Sequence, residues 1–251
     1  MRTIDTVLFD LDDTLHDDTA AYETAVRRVA ADLARSHGID AEVVFDAYRA
    51  EAQKFWKELE RDHLGTGIVE ARERMWTIAL AAAGLHDPAL MRQCAQEYLH
   101  HRAAVLELSP GALDLVHALK THGCKLGIVT NGFAATHHDK IARLGLTPHF
   151  DALFLADEMG MVKPDPRVFR HAMTVLGSVA ERTAMVGDRY DRDIVGAHTL
   201  GIFTVLIDVH AIPIPAAGPR PDAVVATIAE VLDVLPLRTG TRSVGQRAEP
   251  L

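Results

Sequence analysis

Apolar and polar positions divide this chain into two rhythms. The run Val7-Leu8-Phe9 stops at a cluster of carboxylates, Asp10, Asp12 and Asp13. That is the pattern of a buried strand, residues 3–10, delivering its last side chains to the edge of a sheet. Thr14-Leu15-His16 carries the chain away from it. From Asp17 to about Val105 no strand pattern occurs. Apolar residues recur there at three- and four-residue spacing and predict helices near 18–36, 41–63, 68–83 and 88–105. Gly38, the run Leu64-Gly65-Thr66-Gly67 and the stretch Gly84 to Pro88 separate them.

From Ser109 onward short apolar runs alternate with helical patterns. A helix at 110–122 precedes a strand from Lys125 to Thr130, and a helix near 134–144 precedes one from Ala152 to Ala156. A helix at 166–176 leads to a strand from Ala184 to Gly187, and a helix at 191–199 to one from Phe203 to Ile207. After a loop crowded by Pro213, Pro215, Pro219 and Pro221 come a short strand, Ala223 to Val225, and a closing helix at 227–235. Such alternation implies parallel strands joined by right-handed crossovers, hence an α/β doubly wound parallel sheet. The expected organisation is a sheet-bearing core of residues 1–16 and 106–236, interrupted by an all-helical module of residues 17–105. The segment 237–251 has no apolar periodicity and is expected to be disordered.

Composition narrows the range of functions. With 251 residues, 48% hydrophobic and 24% charged, the chain has the make-up of a soluble globular protein with a sizeable core. Its net charge of -9 argues against a nucleic-acid polymer as partner, because that affinity comes from basic side chains displacing counterions. No apolar run approaches membrane-spanning length and no secretory leader pattern opens the chain, so the expectation is a cytoplasmic protein without membrane contact. Cys94 and Cys124 are too few for a disulfide framework and read as buried small hydrophobes. Monomer and homodimer both stay open.

Four strand ends carry unusual polar residues. Asp10 to Thr14 follow the first strand; Thr130-Asn131-Gly132 close the second; Lys163 lies in the loop after the third; Gly187-Asp188 to Asp193 follow the fourth. In a parallel sheet all four gather at one edge, where ligands bind. Asp10 and Asp188 are hard oxygen ligands suited to Mg²⁺. The ion would relieve carboxylate repulsion and leave Asp10 free to attack a phosphate, with Asp12 as general acid and base. The Thr130 hydroxyl, the Asn131 and Gly132 amides and the Lys163 ammonium can hold phosphate oxygens. Pro164 biases Lys163 towards an extended backbone. Asp193 would hold a metal-bound water or orient Lys163.

Asp-x-Asp-x-Thr, Thr-Asn, Lys-Pro and Gly-Asp-x-x-x-x-Asp, in this order and covering residues 3–235, resemble the four motifs of the haloacid dehalogenase superfamily of phosphohydrolases. The resemblance implies a Rossmann-like core with a helical cap inserted after the first motif. It also implies an aspartyl-phosphate on Asp10, acid/base work by Asp12, and Mg²⁺ held by Asp10, the Asp12 main-chain carbonyl and Asp188. Thr130-Asn131-Gly132-Phe133 and the run from Gly160 to Asp165 look most like the pyrimidine 5′-nucleotidase and N-acylneuraminate-9-phosphatase members. The expected substrate is a small phosphorylated metabolite, a nucleoside monophosphate or sugar phosphate. A 2-haloacid dehalogenase, a phosphomutase and a non-enzymatic binding module are the alternatives.

Other polar residues have plainer readings. Asp13 and Thr14 are expected to brace the turn, and Arg189 and Asp191 to be solvated charges at a helix start. Asp157 and Glu158 read as a surface turn, with a supporting place near the site as the alternative. Adjacent ring pairs His100-His101 and His137-His138 point about 100° apart on a helix and are expected to be exposed or partly buried rather than chelating. His16 is a candidate for the substrate cavity wall. Phe55, Trp56 and Trp76 are assigned to the module's own core, and the charge-rich run from 57 to 63 to an exposed helical face. The loop Asp62 to Ile68 is read either as a substrate-selecting loop or as a plain turn.

Overall fold

The computed structural model describes residues 2–62, 67–209, 211 and 213–237, without the side chains of 60–62. Strand β1 (Thr6–Phe9) leads into four helices, α1 (Asp18–His37), α2 (Ala41–Asp62), α3 (Ile68–Ala82) and α4 (Pro88–Ala103). Then follow α5 (Ala112–Thr121), β2 (Lys125–Thr130), α6 (Ala134–Arg143), β3 (Ala152–Leu155), α7 (Ala156–Met159) and α8 (Pro166–Leu176). The chain continues through β4 (Thr183–Gly187), α9 (Val195–His198), β5 (Phe203–Ile207), β6 (Ala223–Val225) and α10 (Val231–Val234). All pairings are parallel, and the six strands lie in the order β3-β2-β1-β4-β5-β6. The α/β doubly wound, Rossmann-like expectation holds.

Strand β1 is buried along its whole length because both faces of the sheet are covered. Successive side chains alternate between the faces: Val7 and Phe9 join Leu126, Ile128 and Val186 under α5, whereas Leu8 joins Val129 and Met185 under α8. Each such fully buried aliphatic or aromatic side chain contributes about 1.5–3 kcal/mol. The order of strands reverses direction beside β1, so a crevice opens at the carboxyl ends of β1, β2 and β4.

Helices α1 to α4 enclose a core of their own, built on Val29, Leu33, Phe45, Tyr48, Trp76 and Leu80. Apolar residues at Ala25, Val26, Val29, Ala30 and Leu33 give α1 its buried stripe. Asp17 caps its start by accepting from the Ala20 amide, and Gly38 ends it in the left-handed region. The two connections between this module and the sheet run side by side, His16 bridging Leu108 and the Ser109 amide donating to the Leu15 carbonyl at 2.9 Å. Phe133, at the end of the β2–α6 turn, reaches across into the module and packs on Phe55 and Trp56. Cys94 and Cys124 are buried thiols pushed up to about 12 and about 11 by burial.

The expected elements occur, with differences at their ends. The ladder of β1 covers four residues rather than 3–10: Ile4 bridges Leu237 instead, and Asp10 lies just past the last pair although its amide still donates to Val186 at 2.9 Å. Leu237 is therefore held against the sheet, while 238–251, most of the expected tail, lies outside the described residues. The helix expected at 191–199 begins as a wide turn of π type, Tyr190–Ile194, before α9. Two hydrogen bonds shape that turn, from the Asp193 amide to the Arg189 carbonyl at 2.7 Å and from the Arg189 amide to Asp193 Oδ2 at 3.1 Å. The closing helix splits into a 3₁₀ turn, Ile228–Glu230, and α10. Residues 63–66 of the loop between α2 and α3 lie outside the description.

Candidate active site

The carboxyl ends of three neighbouring strands bring the motif residues together. Asp10 follows β1, Thr130 is the last residue of β2, and Asp188 follows β4. Asp10, Thr130, Asn131, Lys163, Asp188 and Asp193 are all buried, and with Asp12 and Gly132 they line one cavity of about 600 Å³ between the sheet and the helical module.

Lys163 is the hub of the floor. Its ammonium donates to Asp10 Oδ1 at 2.7 Å and to Asp193 Oδ1 at 2.6 Å. Asn131 sets its position through the main chain, Oδ1 accepting from the Lys163 amide at 2.8 Å and Nδ2 donating to the Lys163 carbonyl at 3.0 Å. The following peptide, Lys163–Pro164, is cis. The Asn131 side chain is thus occupied in holding Lys163. Thr130 Oγ1 accepts from the Gly132 amide at 3.1 Å, which leaves the Thr130 hydroxyl proton to point elsewhere. Burial would lower the Lys163 pKa, but Asp10 and then Asp193 outweigh it and raise it, so the ammonium is fully charged.

Three carboxylates share the same few ångströms. Asp10, Asp188 and Asp193 each offer an oxygen within 4.8 Å of the others. Burial raises Asp10 to about 6; Lys163 opposes the shift, while Asp193 and Asp12 add to it. Burial likewise raises Asp193, against the pull of Lys163. So much buried acid beside one ammonium is an environment for a further hard cation, and oxygen donors of this kind suit Mg²⁺. Thr14 braces the cluster by donating to Asp188 Oδ1 at 3.4 Å. Asp193 serves Lys163 directly and also belongs to the cluster.

Asp12 occupies a different setting. Its Oδ1 accepts from the Lys140 ammonium at 2.6 Å and lies 2.9 Å from His16 Nε2, and its Oδ2 lies 3.1 Å from His137 Nε2. Burial alone would raise this carboxyl. Lys140 first, then His137 and the hydrogen bonds of His137 and His16, hold it well below the usual carboxylate range. Lys140 also donates to Asp18 at 2.8 Å, and Asp18 pairs with Arg102, so the network reaches both the first and the last helix of the module. Asp12, His16 and Asp18 form a second group with metal-ligand spacing, but the Lys140 ammonium already bridges Asp12 and Asp18.

His137 corrects the sequence expectation. It is buried at 3% exposure, deeper than the exposed or partly buried position expected, and its ring reaches Asp12 from the first turn of α6. Gly132 makes room: a Cβ there would overlap the His137 ring. Lys140, Asp18 and Arg102 carried no motif and were missed. The available signal was on α6, where His137, Lys140, Ile141 and Leu144 share one face at helical spacing, placing polar residues where core residues belong. His16 is fully buried against Asp12 and does not line the cavity.

The remaining candidates fall into place. Asp13, at φ 57°, accepts from the Thr19 amide and hydroxyl and braces the entry to α1. Asp157 accepts from the Ala134 amide at the start of α6, and Glu158 meets the exposed His138 at 2.8 Å. Asp157 so supports the element carrying His137 and Lys140. Arg189 and Asp191 pair with each other at the cavity rim. Trp76 and Phe55 belong to the module core, as expected, whereas Trp56 is half-buried and lines the cavity.

Comparison with known proteins agrees with this geometry. The family model for haloacid dehalogenase-like hydrolases matches residues 4–201. A glyceraldehyde 3-phosphate phosphatase from Methanocaldococcus jannaschii is 32% identical over 201 residues, covering 80% of this chain and 83% of that protein. The pyrimidine 5′-nucleotidase YjjG from Escherichia coli is 27% identical over 208 residues, 82% and 87% of the two chains. Among solved structures, the putative hydrolase YfnB from Bacillus subtilis, bound to magnesium, superposes with a TM-score of 0.76 at 24% identity, over 94% of this chain and all of that one. This last likeness is one of fold.

Proposed function

The chain belongs to the haloacid dehalogenase-like hydrolases and is a phosphoric monoester hydrolase, and we propose that it cleaves a small phosphorylated metabolite through a phosphoenzyme on Asp10. The observation that carries this reading is the division of labour between two carboxylates two residues apart, Asp10 buried and Asp12 half-buried. Asp10 faces Lys163 and the acidic cluster, whereas Asp12 is turned to Lys140, His16 and His137.

Asp10, Asp188 and the Asp12 main-chain carbonyl are the residues that would hold Mg²⁺, which when bound neutralises charge between a carboxylate nucleophile and a phosphate dianion. Asp10 attacks phosphorus and the ester oxygen leaves with a proton passed through the Asp12 carboxylate from the groups hydrogen-bonded to it, Lys140, His16 and His137. Water then attacks the acyl phosphate, giving its proton to Asp12 and restoring Asp10. The donors around Asp12 suit the carboxylate that takes this second proton. Lys163 and the Thr130 hydroxyl hold the non-bridging oxygens, and Asn131 acts by fixing Lys163. Asp193 orients Lys163. The helical module, α1 to α4, serves as a cap that excludes bulk water and supplies the wall facing the leaving group.

Release of inorganic phosphate from a panel of sugar phosphates, nucleotides and aryl phosphates tests the reading. Turnover in Mg²⁺ that stops in excess EDTA supports it. Halide release from 2-haloacids, unaffected by EDTA, would replace it with dehalogenation, and phosphoryl transfer to a second sugar hydroxyl would make it a mutase.

A further inference from the structure

Helix α3 turns one face to the interior of the module, formed by Ile68, Ala71, Arg72, Met75, Trp76, Ala79 and Leu80. At this spacing every position suits an apolar side chain, yet one is arginine. Arg72 is 7% exposed and lines the cavity above the motif residues. It has no hydrogen bond or ion pair with any described residue; its guanidinium lies over the Tyr98 ring, 5.6 Å from the centroid. Glu51 of α2 pairs with Arg74 of α3 at 2.6 Å. The Arg72 guanidinium, so placed, has lost most of its bulk hydration without gaining a carboxylate, and its donors open into the cavity.

The surrounding wall favours an anion. On the module's side of the cavity Arg102 is taken by Asp18, which leaves Arg49, Lys57 and Arg72 against Glu23. Arg49 and Lys57 have solvent to screen them and Arg49 pairs with Asp46, so among the described residues of this wall Arg72 is the buried cation without a carboxylate partner. Tyr98 presents its ring to one side of the guanidinium and holds it in place, an arrangement in which arginine's planar fork stays ready for two acceptor oxygens.

We propose that Arg72 binds a second anionic group, a carboxylate or a second phosphate, on the part of the substrate that leaves. The inference rests on the phosphatase reading and sharpens it: the preferred substrates are phosphorylated acids or bisphosphates rather than nucleoside monophosphates or neutral sugar phosphates.

Matched substrates test it. 3-Phosphoglycerate and glycerol 3-phosphate differ in a carboxylate, and fructose 1,6-bisphosphate and fructose 6-phosphate differ in a phosphate. The wild-type enzyme should favour the doubly charged member of at least one pair by about tenfold or more in kcat/KM, chiefly through KM, and the pair that shows it identifies the anion. Arg72→Gln should collapse that ratio towards one. Arg72→Lys, which keeps the charge and the stem, should retain part of it, and it decides the matter if the glutamine variant does not fold. Equal kcat/KM within both pairs, or a preference that either folded variant leaves intact, overturns the role of Arg72. Absence of phosphate release from all four substrates while an aryl phosphate is still cleaved would also overturn the role of Arg72, whereas an aryl phosphate left uncleaved as well would count against the phosphoenzyme reading beneath it.

Discussion

Asp18 begins α1, yet its carboxylate meets Arg102 of α4 and Lys140 of α6. Burial alone would raise its pKa; Arg102 foremost, with Lys140 and His16, brings it down from the ordinary 3.8 to about 2. A carboxyl whose folded pKa is depressed contributes stability that is complete above the unfolded value and disappears as pH falls through the folded one. The window here is about pH 4 down to about 2, and the size is about 2 kcal/mol. Urea midpoints of the wild type should therefore drop across that window more steeply than those of Asp18→Asn; superimposable profiles would contradict the network. At this scale the sequence revealed only part of the site. Asp10, Thr130, Lys163, Asp188 and Asp193 were legible because a parallel sheet gathers its strand ends whatever the intervening chain does. Lys140 and Asp18, 122 residues apart, have no such rule to join them, and only folding shows that they are each other's partners. The pair His137-His138 indeed points to different partners, but the full burial of His137 against Asp12 was not legible, because Asp12 lies 125 residues away in the chain.

Among elements, the turns after β2 and β4 matter more than the strands themselves. Two glycines there work by leaving space, not by adopting an unusual φ. A Cβ on Gly132 would overlap His137, and one on Gly187 would overlap the Asp193 carboxylate that holds Lys163. Gly187→Ala must displace Asp193 or bend β4. Misplacing the ammonium by about 1 Å should lower kcat on an aryl phosphate by about 10²-fold. Overpacking should also cost about 1–3 kcal/mol on unfolding. Wild-type kcat in the alanine variant would show that Asp193 does not position Lys163. Long helices such as α1 and α2 were legible from their apolar stripes. The π-type turn at Tyr190–Ile194 and the single turn of α7 were not, since four or five residues carry no periodicity and owe their shape to tertiary hydrogen bonds.

For the whole molecule, sheet and helical module meet over the cavity, held by the paired connections at His16 and Leu108 and by Phe133 in the module core. The sequence showed a run of helical periodicity after the first strand but not the side chains those helices aim inward, because a helix face has no fixed orientation until its partners are known; Arg72 and Trp56 became visible only in the fold. Repulsion among Asp10, Asp188 and Asp193 gives the folded state a demand for a cation that the unfolded chain lacks. Mg²⁺ at a hundred times its Kd should raise stability by about 2.7 kcal/mol, visible as a higher Tm. Asp188→Asn should lose most of that shift, and an unchanged response in the variant would place the ion elsewhere. The central claim is that Asp10 is the nucleophile. It is tested most directly by phosphate release from an aryl phosphate in Mg²⁺ by Asp10→Asn, with folding verified by circular dichroism. A loss of at least about 10³-fold in kcat is expected; a rate within tenfold of the wild type would contradict it.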